Sequence, residues 1–554
     1  MTTIQNLPQA QINPKTQQSI SSKNALLSTI LAEFDAKADQ GQAAINQYIP
    51  LALYTPSINA KRRTFLLSLE YNDLNTAFAV ANAWVEQEPN DVPALLYLAH
   101  TAVKTHRYAR FSAVLEQILK LDENANLEQI LTGILPEEQQ DRDLLLDTLN
   151  SIQNKKHPSL LALIASLEAK NKQYQASLKH INAALRKRPN TTSFILLKAN
   201  LLIEMNRADD ALKWLHKVGN RQKNNTDVRL AEIQLLIKNK HEQQAFARMQ
   251  DTLKYNPNAE DVLFLAGLTS IDFKNYDQAE HYLLKLRDSA RYQNDAYYYL
   301  AINAERRQHF DAALAYYRMV DGNLYVVSRQ AMIELFIKNQ QFDEALRFLT
   351  QERVNQPNHA SFLYQAQANL LQSLGQPAEA LTVLQEAAKD LPEDPDLLYA
   401  QVLLLDAHED EKELDQILNK LLQLEPNNPT YLNAYAYTLA LQNKRLTEAK
   451  KYAEQALQQS PNQAAILDTL GYIAFIQNDF DTASQMLKQA YEHSDSINIA
   501  IKYARALYMQ GDLTAFAELL QTLKSKYPDN TQVQQLDLLI LPESIGTSSE
   551  PPAS

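Results

Sequence analysis

The sequence predicts an all-α solenoid, a single array of stacked helix-turn-helix units, and three periodic features predict it. The first is a run of index positions at Ala32, Phe65, Ala99, Gly133, Ala165, Ala199, Ile233, Gly267, Ala301, Ile333, Ala368, Val402, Ala436, Gly471 and Ala504, spaced on average ~34 residues apart. The second is a small residue twelve positions beyond most of them, at Ala44, Ala77, Ser177, Ala211, Ala245, Ala279, Ala313, Ala345, Ala380 and Ala483. The third is a proline closing many units: Pro56, Pro89, Pro189, Pro257, Pro357, Pro392, Pro426, Pro461 and Pro528. Small residues at two fixed places let two antiparallel helices approach closely, and proline, which lacks an amide hydrogen, stops the second helix.

Composition agrees. The chain has only nine glycines and an excess of Leu, Ala, Gln, Glu and Lys, with no strand-like alternation of β-branched residues. Cysteine is absent, which rules out disulfides and thiolate metal sites. The net charge of −12 argues against a general nucleic-acid binder, which needs a basic excess to neutralise phosphates. Charge is unevenly spread, with twelve Lys/Arg against three Asp/Glu between Lys170 and Lys223, and ten acids against two lysines between Pro392 and Pro426. Such blocks are either contact surfaces for different partners or solvated helix faces.

In chain order, residues 1–23 are polar and broken by Pro8 and Pro14, so a disordered arm or tether is expected. The array proper is expected over 24–528, starting with an apolar-periodic helix through Ala25 to Lys37. Trp84, near the end of the second unit, is expected to fill the gap between repeats. An irregular zone is expected around 121–158, where the small-residue pattern weakens near Gly133. A cap is expected over 529–541 and a disordered, Pro- and Ser-rich tail over 542–554. No run of about 18 apolar residues suggests a membrane span.

The stretch Ala464-Ala465-Ile466-Leu467-Asp468-Thr469-Leu470-Gly471-Tyr472, followed by Ala483, Leu487 and Ala490, resembles the tetratricopeptide repeat, with Leu487 standing where an aromatic residue is usual. The resemblance implies a right-handed superhelix of about 30 helices whose first helices line a concave groove. Residues three before, one after and four after each index are then expected to face the groove. This nominates Phe264, Tyr298, Gln365, Asn369, Tyr399, Asn433, Tyr437, Asp468, Tyr472, Phe475, Arg505 and Tyr508 as protein-binding residues, a mixture of aromatics and hydrogen-bonding groups suited to polypeptide. The Lys-and-Asn carboxylate clamp of chaperone-binding relatives is not matched, because Leu196 stands where its first Lys would precede Asn200.

Catalytic and cofactor motifs are missing: there is no phosphate-binding Gly loop, no Gly-x-Ser-x-Gly and no His-Glu-x-x-His. The expectation is a non-enzymatic scaffold with no metal site and no cofactor. His408-Glu409-Asp410-Glu411 lacks the spacing that would place several ligands on one helical face.

Two segments resemble a narrower family. One runs from Leu31-Ala32-Glu33-Phe34 through Ala44, Tyr48, Ala52 and Thr55 to Trp84-Val85 and Pro89. The other is Leu432-Asn433-Ala434-Tyr435-Ala436-Tyr437-Thr438-Leu439-Ala440 with Ala449, Ala456 and Pro461, continuing into Ile466 to Tyr472. They look like the tetratricopeptide lipoproteins of the gammaproteobacterial envelope that act as adaptors for a carboxyl-terminal processing protease. That resemblance implies two kinds of protein partner, the protease and its substrates, such as cell-wall hydrolases. It also implies a periplasmic place at the outer membrane, held by a lipid anchor on a Cys that this chain does not carry. The alternatives are an assembly scaffold for envelope or polysaccharide machinery and a cytoplasmic interaction protein.

Overall fold

A computed structural model describes residues 22–122, 125, 127, 136–152 and 156–539. Among these residues the regular structure is entirely helical, and within each of two compact units consecutive helices pack against one another. The array divides into two compact units, the first ending at His309 and the second beginning at Phe310. The division falls beside two shortened second helices, Tyr276–Leu284 and Phe310–Arg318, each of 9 residues where most second helices have 14.

The periodic positions lie where the sequence puts them. Index residues fall in first helices, such as Ala32 in Ser22–Lys37, Ala165 in Pro158–Lys170, Ala436 in Pro429–Leu441 and Ala504 in Ile497–Gln510, and all four are fully buried. The small residues twelve later, from Ala44 to Ala483, are likewise buried in second helices. Gly471 shows what the close approach demands: a Cβ built there would meet Leu487 Cγ at 2.5 Å. Trp84 is wholly buried between repeats, 6.0 Å from the ring of Tyr97, which stacks on Phe65 at 4.6 Å. Val402 is the exception, half-buried at the end of the short helix Pro395–Val402. Gly133 and parts of the irregular zone 121–158 lie outside the described residues, as do residues 1–21 of the expected arm, 540–541 of the expected cap and the whole expected tail, 542–554. The first helix begins at Ser22, inside the segment expected to be an arm. At the other end Thr531–Leu536 covers the last pair, burying Val533 and Leu536.

A second period emerges that the sequence conceals. Seven residues after most index positions stands a residue with left-handed backbone: Asp39, Asn72, His106, Lys172, Asn206, Lys240, Lys274, Gln308, Gln340, Gly375, Asn443, Asn478 and Gly511. The amide of the next residue donates to a carbonyl five residues back, as in Gln173 to Glu168 at 2.8 Å and Asp479 to Ala474 at 2.9 Å. This Schellman closure satisfies carbonyls left open at the end of the first helix. The same next residue starts the second helix, and its carboxylate can cap it: Asp73 accepts from the Thr76 amide at 3.1 Å and Asp512 from the Ala515 amide at 3.0 Å. In repeats built this way three residues separate the two helices, as Tyr71, Asn72 and Asp73 do between Ile58–Glu70 and Leu74–Gln87.

Junctions without proline are closed differently in two places. Arg229 and Arg329, each four residues before an index, are buried and donate to carbonyls at the end of the preceding second helix. Arg229 Nη1 reaches the Gly219 carbonyl at 3.3 Å, and Arg329 Nη1 reaches those of Tyr317 at 2.8 Å and Val320 at 3.0 Å. A guanidinium carries five donors in one plane and can satisfy several orphan acceptors at once.

One histidine couples the fold to pH. His100, half-buried in Val92–Lys104, is pushed below its ordinary value, first by burial and then by the neighbouring charge of Lys104. The folded state thus binds the proton less readily than the unfolded state. Its contribution to stability is complete above about pH 6.5 and is lost as pH falls through the lower folded value. Melting curves at about pH 7.5 and pH 5.5 should show the wild type losing more stability on acidification than His100→Gln. Equal losses would remove His100 as the cause.

Candidate functional site

The nominated groove residues separate into three groups. Some are used up by packing. Phe264, in the first unit, stacks on Tyr292 with ring centres 4.9 Å apart and meets Tyr299 edge-on at 5.6 Å. Tyr298 lies edge-on to Tyr299 at 5.4 Å. In the second unit Tyr399 leans on Tyr431 at 5.5 Å, Phe475 on Phe480 at 5.5 Å, and Tyr508 on Phe516 at 5.6 Å. Burial pushes the Tyr399 hydroxyl above its ordinary value, as expected of a phenol held among apolar neighbours.

A second group, Gln365 and Asn369 on Ala360–Ser373, is half-buried and exposed respectively, and stands apart from the third. The third group is brought together. Tyr437, Asp468 and Arg505 come from three successive first helices, Pro429–Leu441, Ala464–Ile476 and Ile497–Gln510, and line one open hollow of about 730 Å³. Gln463, His493, Ser494, Ser496, Asn498 and Gln532 contribute to its walls.

The centre of the hollow is a residue the groove rule missed. Lys502 places Nζ 2.7 Å from Asp468 Oδ2, 5.4 Å from the centre of the Tyr437 ring and 5.3 Å from that of Tyr472. The two tyrosine rings are 6.1 Å apart. One ammonium is thereby shared between a carboxylate and two aromatic faces, an arrangement that fixes both rings. Asp468 Oδ1 and Asn433 Oδ1 are buried without a protein partner among the described residues, so each retains an acceptor that a water or a small shift could satisfy. Arg505 is exposed and makes no ion pair among the described residues, leaving a guanidinium available at the rim. Lys502 sits two residues before its index, on the face between those the rule selected; the signal was its place three residues before Arg505 in a helix with no other charge.

The hollow has the character of a binding surface: fixed aromatics, hydrogen-bonding walls and an exposed guanidinium at its edge. Among the described residues no cluster of His, Asp and Glu could hold a metal ion. No described helix is long and apolar enough to cross a membrane.

Comparison with known proteins agrees with the repeat geometry. Residues 365–429 and 474–537 each match a family described as tetratricopeptide repeat, and residues 166–387 match the N-terminal TPR repeats region of Psidin. The chain carries tetratricopeptide repeats over these segments. A TPR repeat-containing protein of Pseudomonas aeruginosa, PA4667, is 25% identical over 485 residues, covering 86% of this chain and 82% of that protein. Among solved structures, Naa15/Naa10 bound to HypK-THB matches at 15% identity with a TM-score of 0.31, over 69% of this chain and 65% of its own. PilW, a type IV pilus biogenesis factor, matches at 14% identity with a TM-score of 0.34, over 39% of this chain and 99% of its own. Tetratricopeptide arrays are protein-interaction scaffolds, and this chain is one.

Proposed function

We propose that this tetratricopeptide protein is an adaptor that holds a client protein in the hollow of its second unit and presents it to a carboxyl-terminal processing protease bound elsewhere. The observation that carries the reading is the presence of two separately built surfaces suited to protein partners. One is the hollow around Lys502, in the second unit. The other is on the first helix, Ser22–Lys37, in the first unit, where Leu27, Ile30, Leu31 and Phe34 repeat at helical spacing and are all exposed, Leu27 at 57% and Phe34 at 68%. An exposed apolar stripe of this kind on the first described helix is a surface suited to a protein partner. Two sites on one scaffold raise the effective concentration of one partner at the other without a new contact.

The resemblance of the segments around Leu31 to Pro89 and Leu432 to Tyr472 to envelope adaptors supplies the identity of the partners. Cell-wall hydrolases are the proposed clients and the periplasm the proposed location. Reconstitution tests it. Purified protease should degrade a purified cell-wall hydrolase faster when this chain is present, and a Leu27→Glu, Phe34→Glu variant should abolish that gain while still binding the hydrolase. Degradation that is indifferent to the chain would remove the adaptor role and leave only a scaffold.

A further inference from the structure

The second helices of the first unit carry a feature that the adaptor reading does not use. Between Ala208–Arg221 and Glu242–Tyr255, with Thr226–Lys238 as its floor, lies an open cleft of about 640 Å³. Leu212, Leu236 and Ala247 give it apolar surface, and Lys213, His216 and Gln244 stand in its walls. Its base is a buried ion network. Arg248 Nε donates to Glu232 Oε2 at 2.7 Å and Arg248 Nη1 to Asn220 Oδ1 at 2.7 Å, His216 Nδ1 lies 2.7 Å from Glu232 Oε1, and Arg229 pairs with Asp251.

Both carboxylates in the cleft are thus already engaged by buried guanidiniums. Lys213 in the cleft wall and further exposed basic side chains on this and the preceding second helix are not engaged in this way. Lys213, Lys217 and Arg221 are exposed on one helix, and Lys179, Arg186 and Lys187 on the preceding second helix Tyr174–Lys187; none makes an ion pair among the described residues. Half of the basic block of the sequence thus lies on second helices, while Lys170 and Lys198 lie on first helices.

We infer that this face is a docking site for an acidic protein segment that also carries an apolar anchor, the anchor entering the cleft and the carboxylates meeting Lys213, Lys217 and Arg221. Two physical points select that occupant. The chain as a whole is strongly acidic, so an extended polyanion such as a nucleic-acid duplex or an anionic membrane meets net repulsion. A short acidic segment feels only charges within a screening length of about 8–10 Å, where the basic side chains dominate. The cleft adds a requirement for an apolar residue that phosphates cannot meet, because its walls include leucine and alanine.

The test uses the whole chain and a fluorescein-labelled amphipathic peptide of about 16 residues with Glu on one face and Leu on the other. Controls are the same peptide with Gln for Glu, a DNA duplex of about 20 base pairs and phosphatidylglycerol vesicles. Fluorescence anisotropy should show the acidic peptide binding best and weakening with added salt. Both Lys213→Glu with Lys217→Glu, which reverses the rim, and Ala247→Phe, which fills the cleft from an exposed position, should weaken it by roughly tenfold or more. Unchanged melting curves would show that both variants fold. Tighter binding of the duplex or the vesicles, equal binding of the Gln peptide, or indifference to either variant would overturn the inference. The adaptor reading would stand in each of those cases, since it rests on other surfaces.

Discussion

Replacing Glu232 by Leu is expected to destabilise the first unit by about 3–5 kcal/mol, because it strands a buried charge. Glu232 is almost fully buried and takes Arg248 on one oxygen and His216 on the other. Arg248 has nowhere to go. Its guanidinium lies against Gly219 so closely that a Cβ there would stand 2.5 Å from Nη2, and its exposure is only 7%. Without Glu232 it keeps Asn220 and a long contact of 3.4 Å to Asp251, which is itself held by Arg229. Glu232→Leu combined with Arg248→Leu should recover much of the loss, since removing both partners leaves no uncompensated charge. Denaturant unfolding of the two variants decides it, together with hydrogen exchange in Thr226–Lys238, which should rise in the single variant only. An unchanged midpoint for Glu232→Leu would mean that water already reaches this network.

That network also shows where the sequence could be read and where it could not. Close approach of helices needs small residues at fixed spacing, so Ala, Gly and Ser announced the register, and their burial follows. The left-handed turn residue is fixed just as strictly by geometry, yet Lys, Gln and His occupy it at Lys172, Lys240, Lys274, Gln308, Gln340 and His106. A left-handed residue is usually signalled by Gly or Asn, and only Gly375, Gly511 and the asparagines gave that signal. The energetic penalty, about 1–2 kcal/mol per residue, is small beside the packing that surrounds each turn. Charges were legible as composition but not as burial: Arg229 and Arg248 carry no sequence signal that separates them from the charges of solvated helix faces, and become core residues only because Glu232 and Asp251 come from other helices. The groove rule found Tyr437, Asp468 and Arg505 and missed Lys502. It could not tell an aromatic left open to the groove from one already covered, which depends on whether a ring such as Phe516 of the same repeat or Tyr292 of the next lies opposite.

Truncating both Tyr437 and Tyr472 to Ala should weaken client binding by about 30-fold or more, since an aromatic anchor at an interface centre is worth ≥ ~2 kcal/mol. These two are chosen over Tyr508, which packs on Phe516 and would confuse binding with stability. The rings flank Lys502, whose ammonium is fixed by Asp468, so their loss removes the contact surface and frees the lysine to rotate while the index residues Ala436 and Gly471 keep the helices in place. Helical content should therefore be unchanged. Arg505→Glu gives a separate reading of the exposed rim: a client that presents a carboxylate there loses affinity, and one that does not is indifferent. Binding of purified hydrolase and purified protease should be measured apart. Loss of hydrolase binding with protease binding intact is the expected pattern, and Leu27→Glu with Phe34→Glu should give its converse. If the tyrosine pair weakens both partners equally, they share a surface or the second unit has been damaged, which circular dichroism separates. If it weakens neither, the client does not sit in this hollow and has to be sought on another face of the scaffold.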